Sequence, residues 1–167
     1  MRRFGFVLGA CLALAMGSGC GGGGGGSGGG GNGGFASTLQ GTWAACETTD
    51  GVTSDKLTFI FSGSNLTLAL ASWSANTTCA GTPDSQLSGN GTFTVGSAVT
   101  ADLGATPVTA YPIDLTGSGG TQYDLAYVDT AASPDRLYLG DSSGANDGST
   151  PELRPTALDA TFYLQKQ

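Results

Sequence analysis

Lys56-Leu57-Thr58-Phe59-Ile60-Phe61-Ser62-Gly63-Ser64-Asn65-Leu66-Thr67-Leu68-Ala69-Leu70-Ala71 is the stretch whose reading decides the fold. Leu57, Phe59 and Phe61 alternate with Thr58, Ile60 and Ser62; beyond the turn, Leu66, Leu68 and Leu70 alternate with Thr67, Ala69 and Ala71. Successive side chains on a strand point to opposite faces, so each run has one face to bury. The Gly-containing link Ser62 to Asn65 folds the second run back on the first. The stretch is a β-hairpin.

The same period of two recurs outward from this hairpin. It appears in Thr42 to Glu47, Gly91 to Val95, Val99 to Leu103, Val108 to Thr116, Gln122 to Val128, Arg136 to Leu139 and Ala157 to Gln165. That gives about nine candidate strands, and no segment sustains the 3.6-residue apolar period of a helix. The segment from Phe35 onward is rich in Thr, Ser, Ala and Gly, and only Lys56, Lys166, Glu47 and Glu152 supply Lys or Glu. Many short strands at this spacing make an all-β barrel or sandwich. Short links such as Gly117 to Thr121 favour a single antiparallel up-and-down barrel of eight to nine strands, with a β-sandwich as the alternative.

The N-terminal region has a different composition. Arg2 and Arg3 precede a 13-residue apolar run, Phe4 to Met16, and then Gly17-Ser18-Gly19-Cys20. Charged start, apolar stretch and small residues make a secretory signal peptide, and the run is too short to span a bilayer, which takes about 20 residues. The ending resembles the lipobox of bacterial lipoproteins, although Gly17 stands where that family usually has Leu. The alternative box, Leu8-Gly9-Ala10-Cys11, would leave a signal too short for separate charged and apolar regions. The resemblance implies cleavage before Cys20, palmitate-type acylation of that cysteine and attachment to a membrane. Gly21, in place of the Asp that retains some lipoproteins in the inner membrane, implies the outer membrane, with the face left open. Residues 21–34 hold 12 glycines with Ser27 and Asn32, a flexible leash with a reach of roughly 20 Å. The expected organisation is a signal peptide over 1–19, a lipidated cysteine and tether over 20–34, and a barrel domain over 35–167.

After such cleavage, four basic residues (Lys56, Arg136, Arg154, Lys166) face 13 acids, a net charge of −9. This disfavours nucleic acid and anionic membrane surfaces as partners. Cys46 and Cys79 remain as an even pair, and in an oxidising compartment they default to a disulfide closing about 32 residues, for about 3 to 4 kcal/mol in the chain-entropy model. A redox or metal thiol pair would need close Cys-x-x-Cys spacing or histidine, and the chain has no histidine. That absence also removes Ser-His-Asp and Cys-His catalysis. The acids read as a solvated surface, and Asp141 to Gly148 reads as a polar loop rather than a calcium loop. The expectation is a non-enzyme with no cofactor and no metal.

Leu39-x-Gly41-x-Trp43 resembles the lipocalin-type Gly-x-Trp signature, in which Trp packs across the closed end of an eight-stranded barrel. Gly41-x-Trp43-x-x-Cys46, Phe59 and Phe61, Cys79-x-Gly81 and Gly91-Thr92-Phe93 follow the order of a lipocalin-like extracellular module, of the type described as down-regulated by adenomatosis polyposis coli. Bacterial lipoproteins of unassigned function are similar too, including Leu137-Tyr138-Leu139-Gly140-Asp141 and Arg154-Pro155-Thr156-Ala157-Leu158-Asp159. The resemblance implies that Arg154 stacks on Trp43 as a structural clasp. It also implies a cavity for a small apolar or lipid ligand, lined by Phe59, Phe61, Leu68, Leu70, Phe93, Tyr123 and Tyr127. The competing reading is a side-chain-filled barrel, displayed as a structural, protein-binding or polysaccharide-binding module. Outward-facing Tyr111, Trp73 and Tyr163 would favour it.

Overall fold

The computed structural model describes residues 33–167; the expected signal peptide, Cys20 and most of the tether lie outside them. A short helix, α1 (Gly33–Leu39), leads into β1 (Gly41–Thr49), β2 (Thr53–Ser62), β3 (Asn65–Trp73), β4 (Ser85–Val95) and β5 (Val99–Leu103). There follow β6 (Thr106–Gly117), β7 (Gly120–Asp129), β8 (Arg136–Leu139), β9 (Ala157–Leu158) and β10 (Leu164–Lys166).

Eight strands run in the order β4-β3-β2-β1-β10-β8-β7-β6, and pairing of β4 with β6 closes the ring. The fold is a closed antiparallel barrel with two outer strands, β5 and β9. The hairpin of Lys56 to Ala71 forms its most regular wall: Leu57, Phe59 and Phe61 lie opposite Leu70, Leu68 and Leu66. The turn is set by Gly63, whose φ of +61° suits a residue without Cβ.

Three elements differ from the sequence reading. α1 was not expected; it carries Phe35 and Leu39 on one face, both buried in the barrel core. The single run expected over Ala157 to Gln165 is two short strands, because the chain turns at Asp159, whose carboxylate accepts from Thr161 N and Oγ1. β5 leaves the barrel: it pairs antiparallel with the first half of β6 and parallel with β9. The second half of β6 pairs with β4 and β7 inside the ring.

Two apolar cores result, separated by the β7–β8 wall. Strand alternation sends Ala126, Val128, Leu137 and Leu139 inward, and Leu125, Tyr127 and Tyr138 outward against Ala101, Ala110 and Leu158. Cys46 and Cys79 are joined by a disulfide with Cα atoms 6.0 Å apart. The bridge holds the 74–84 loop against β1 and β2, where Thr48 Oγ1 donates to Thr77 O and Cys79 N donates to Ser54 Oγ.

Candidate functional site, the barrel mouth

One end of the barrel is shut by α1. Phe35 stacks on Tyr111 with ring centroids 4.1 Å apart, Leu39 is fully buried, and Trp43 Nε1 donates to Leu39 O at 2.7 Å. Gln40 ties this end to the β2–β3 turn, accepting from Gly63 N. The cation over the Trp43 ring is Lys166, its Nζ 5.1 Å from the centroid and within reach of Thr38 O. This corrects the expected Arg154–Trp43 clasp. The reason is positional: Lys166 is the register partner of Trp43 on β10, whereas Arg154 follows a 3-10 turn (Pro151–Leu153) on the outer side of β6 and β7. There its Nη1 donates to Ile113 O and Asp124 O, and its Nη2 pairs with Asp114 at 2.6 Å. The guanidinium lies 5.4 Å from the Tyr123 ring centroid.

The residues expected to line a cavity divide into three groups. Phe59, Phe61, Leu68 and Phe93 face inward but are buried in one continuous core, with Phe61 edge-on to Phe93 at 4.9 Å. Leu70 faces the same way, nearer the other end, and is half-buried. Tyr123 and Tyr127 are on the outside of the barrel, which corrects their assignment to the lining. Tyr123, Leu125 and Tyr127 do share one face, but Ala126 and Val128 point inward instead. The alternation was readable in the sequence; its direction was not, since both faces of β7 carry apolar residues.

At the end opposite α1 the inward-facing residues are less buried. On β4, Leu87 is the register partner of Leu70 and shares its inward face, yet it is 40% exposed. Glycines at 89 and 91 continue that face toward the closed end, opposite Leu68 and Leu66. On the adjoining strands the inward face becomes polar: Glu47 lies opposite Asp55, and Asp55 accepts from Ser72 Oγ. The mouth thus has an apolar lip and an acidic rim. Sequence reasoning began β4 at Gly91 and so missed Leu87; the Leu87-x-Gly89-x-Gly91 alternation was the available signal.

Asp124 lies on β7 beside the point where β8 ends. Its Oδ1 accepts from Leu125 N and from Gly140 N at 2.9 Å, and burial pushes its pKa up to about 6 despite those two donors and Arg154. Gly140 packs so tightly that a Cβ there would collide with Asp124 and Pro155. The two segments singled out in sequence, around Gly140 and Arg154-Pro155, therefore meet: Asp141 N donates to Ala157 O and Asp159 N to Leu139 O. In the loop between them, Asp141 and Asp147 accept from Ser143 N and Ser149 N.

Of the aromatic residues that would mark an outer binding surface, Tyr111 points inward, Trp73 is buried, and Tyr163 is half-buried between Tyr138 and Arg136. Comparison with family models, curated proteins and solved structures finds no match.

Proposed function

We propose that this is a lipid-anchored, non-catalytic lipoprotein of the cell envelope, and that its barrel mouth takes a small apolar or lipid ligand. The anchoring half of the proposal rests on the leader ending at Cys20 and on the glycine tether, and the outer membrane is the expected site of attachment. The binding half rests on one observation: Leu87 faces inward, opposite Leu70, and is 40% exposed. An apolar side chain left wet on the concave side of a barrel gains by covering with an apolar ligand, at about 25 cal/mol per Å² removed from water. The buried cluster of Phe59, Phe61 and Phe93 forms the floor, so the ligand sits in the upper part of the barrel.

The packed floor also favours a second reading, a side-chain-filled barrel that acts as a displayed structural or interaction module. Native mass spectrometry of the exported protein, taken from its envelope without lipid extraction, separates the two. The binding reading expects a discrete non-covalent adduct that is lost on denaturation and weakened in Leu87→Asp. A clean apo mass, with no uptake of added fatty acid or phospholipid, would sink it and leave the module.

A further inference from the structure

β4 is paired on both sides for only part of its length. β3 lies along Ser85 to Thr92, while β6 reaches only Thr92 to Val95 before turning into β7. Over residues 85–91 no described strand pairs with the second edge. Which backbone groups point there follows from one hydrogen bond, Phe93 N to Ser64 O. Alternation then sends the N–H and C=O groups of the odd-numbered residues 85–91 toward β3, and those of Gln86, Ser88 and Asn90 away from it. Among the described residues, nothing pairs with the backbone of those three.

Edges of this kind are commonly blunted by Lys, Pro, a bulge or a covering loop. Among the described residues this one has none of these: Ser85-Gln86-Leu87-Ser88-Gly89-Asn90-Gly91 has no charge and no proline, and residues 85–88 and Asn90 are exposed. The 74–84 loop bends away from the open side, because Asp84 N donates to Ser72 O and its carboxylate accepts from Ser74 N and Oγ.

We propose that the open edge of β4 is a homodimer interface, with a second copy pairing antiparallel about a two-fold axis through Ser88. The axis is selected by the backbone. Centring on Ser88 makes Ser88 and Ser88, and Gln86 and Asn90, the hydrogen-bonded pairs, giving about six inter-chain bonds. Centring on Leu87 instead runs the pairing into Asp84, which already bonds to β3. In the Ser88 arrangement the Gln86 and Asn90 side chains meet as amides on the outer face, and Leu87 lies beside glycine 89 of the other copy. Charge points to the same partner: the chain carries a net −7, and a neutral edge is where two such molecules can approach closely. Higher salt therefore strengthens the pair.

The full chain, with Cys11→Ser and Cys20→Ser so that no other free thiol reacts, carries the test. Sedimentation velocity is expected to show a monomer–dimer equilibrium that shifts toward dimer with added salt. Ser88→Pro removes only an N–H directed at the open edge and should leave a monomer with an unchanged circular dichroism spectrum; Ser88→Lys serves if the proline variant does not fold. A short bifunctional maleimide should cross-link Ser88→Cys to itself. It should also join a mixture of Gln86→Cys and Asn90→Cys at least tenfold better than either alone. A protein that stays monomeric at all concentrations and salt levels overturns the proposal. So does a dimer that survives both Ser88 substitutions, or cross-linking at Ser88 no faster than at Val52→Cys in the remote β1–β2 turn.

Discussion

Asp124 shows how one buried carboxyl can both hold a wall together and load it. Its oxygen accepts from two backbone donors, the neighbouring Leu125 N and, where β8 ends, Gly140 N, which it shares with Leu125 O. The cost is a carboxyl whose pKa rises from 3.8 to about 6 on folding, with burial as the largest cause. The folded protein then holds a proton more tightly than the unfolded chain. The contribution of this group is greatest below pH 4, falls as pH rises from about 4 to 6, and is level above. The full drop is about 3 kcal/mol from the linkage relation. The carboxylates held low by hydrogen bonds act with the opposite sign: Asp50, Asp84 and Asp147 below pH 3.8, outside this window, and Glu152 below 4.5, at its lower edge. Asp124→Asn keeps the accepting oxygen and removes the charge. Melting temperatures measured between pH 4 and 7 should lose this downward slope, and the variant should be no less stable than the parent at pH 7. A slope that persists would place the load on another group.

At the scale of elements, α1 is the piece that closes one end of the cylinder of strands. It is only seven residues long, too short to be stable alone, and it stands because Leu39 is fully buried beneath Trp43 and Phe35 lies on Tyr111. Leu39→Ala should therefore cost about 2–5 kcal/mol, a fall in melting temperature on the order of 10 °C, readable by circular dichroism. A loss of only a degree or two would mean that the plug is dispensable to the core. The strands were legible because alternation is a local signal, and Phe59, Phe61, Leu66 and Leu68 announced their shared face without reference to any other part of the chain. α1 was hidden because Phe35 and Leu39 show only one helical repeat, set among Gly, Ser and Thr. The Cys46–Cys79 pairing followed from counting. The cation on Trp43 did not, because strand register, which no local pattern encodes, puts Lys166 there rather than Arg154. The outward position of Tyr123 and Tyr127 was hidden for a related reason: it depends on β5 and β9 covering the outside of β7.

Over the whole molecule, that covering makes the barrel asymmetric. The inner core is large and aromatic, while the outer one rests on Ala101, Ala110, Leu125, Tyr138 and Leu158, with Tyr127 and Tyr163 packed at its margin. β6 belongs to both, since its first half pairs with β5 and its second half with the ring. β9, by contrast, holds β5 through two residue pairs only. An element with so few partners should open as its own unit, at lower free energy than the strands that close on themselves. Leu158 is the anchor of this unit: it is buried, pairs with Leu103 and bridges to Gly140. Leu158→Ala should cost about 2–4 kcal/mol locally. In native-state hydrogen exchange, protection should fall in residues 99–103 and 157–159 and stay near the parent level in β1, β2 and β3. Equal losses in both regions would instead show that the outer layer and the barrel open together, with β6 transmitting the opening from one core to the other.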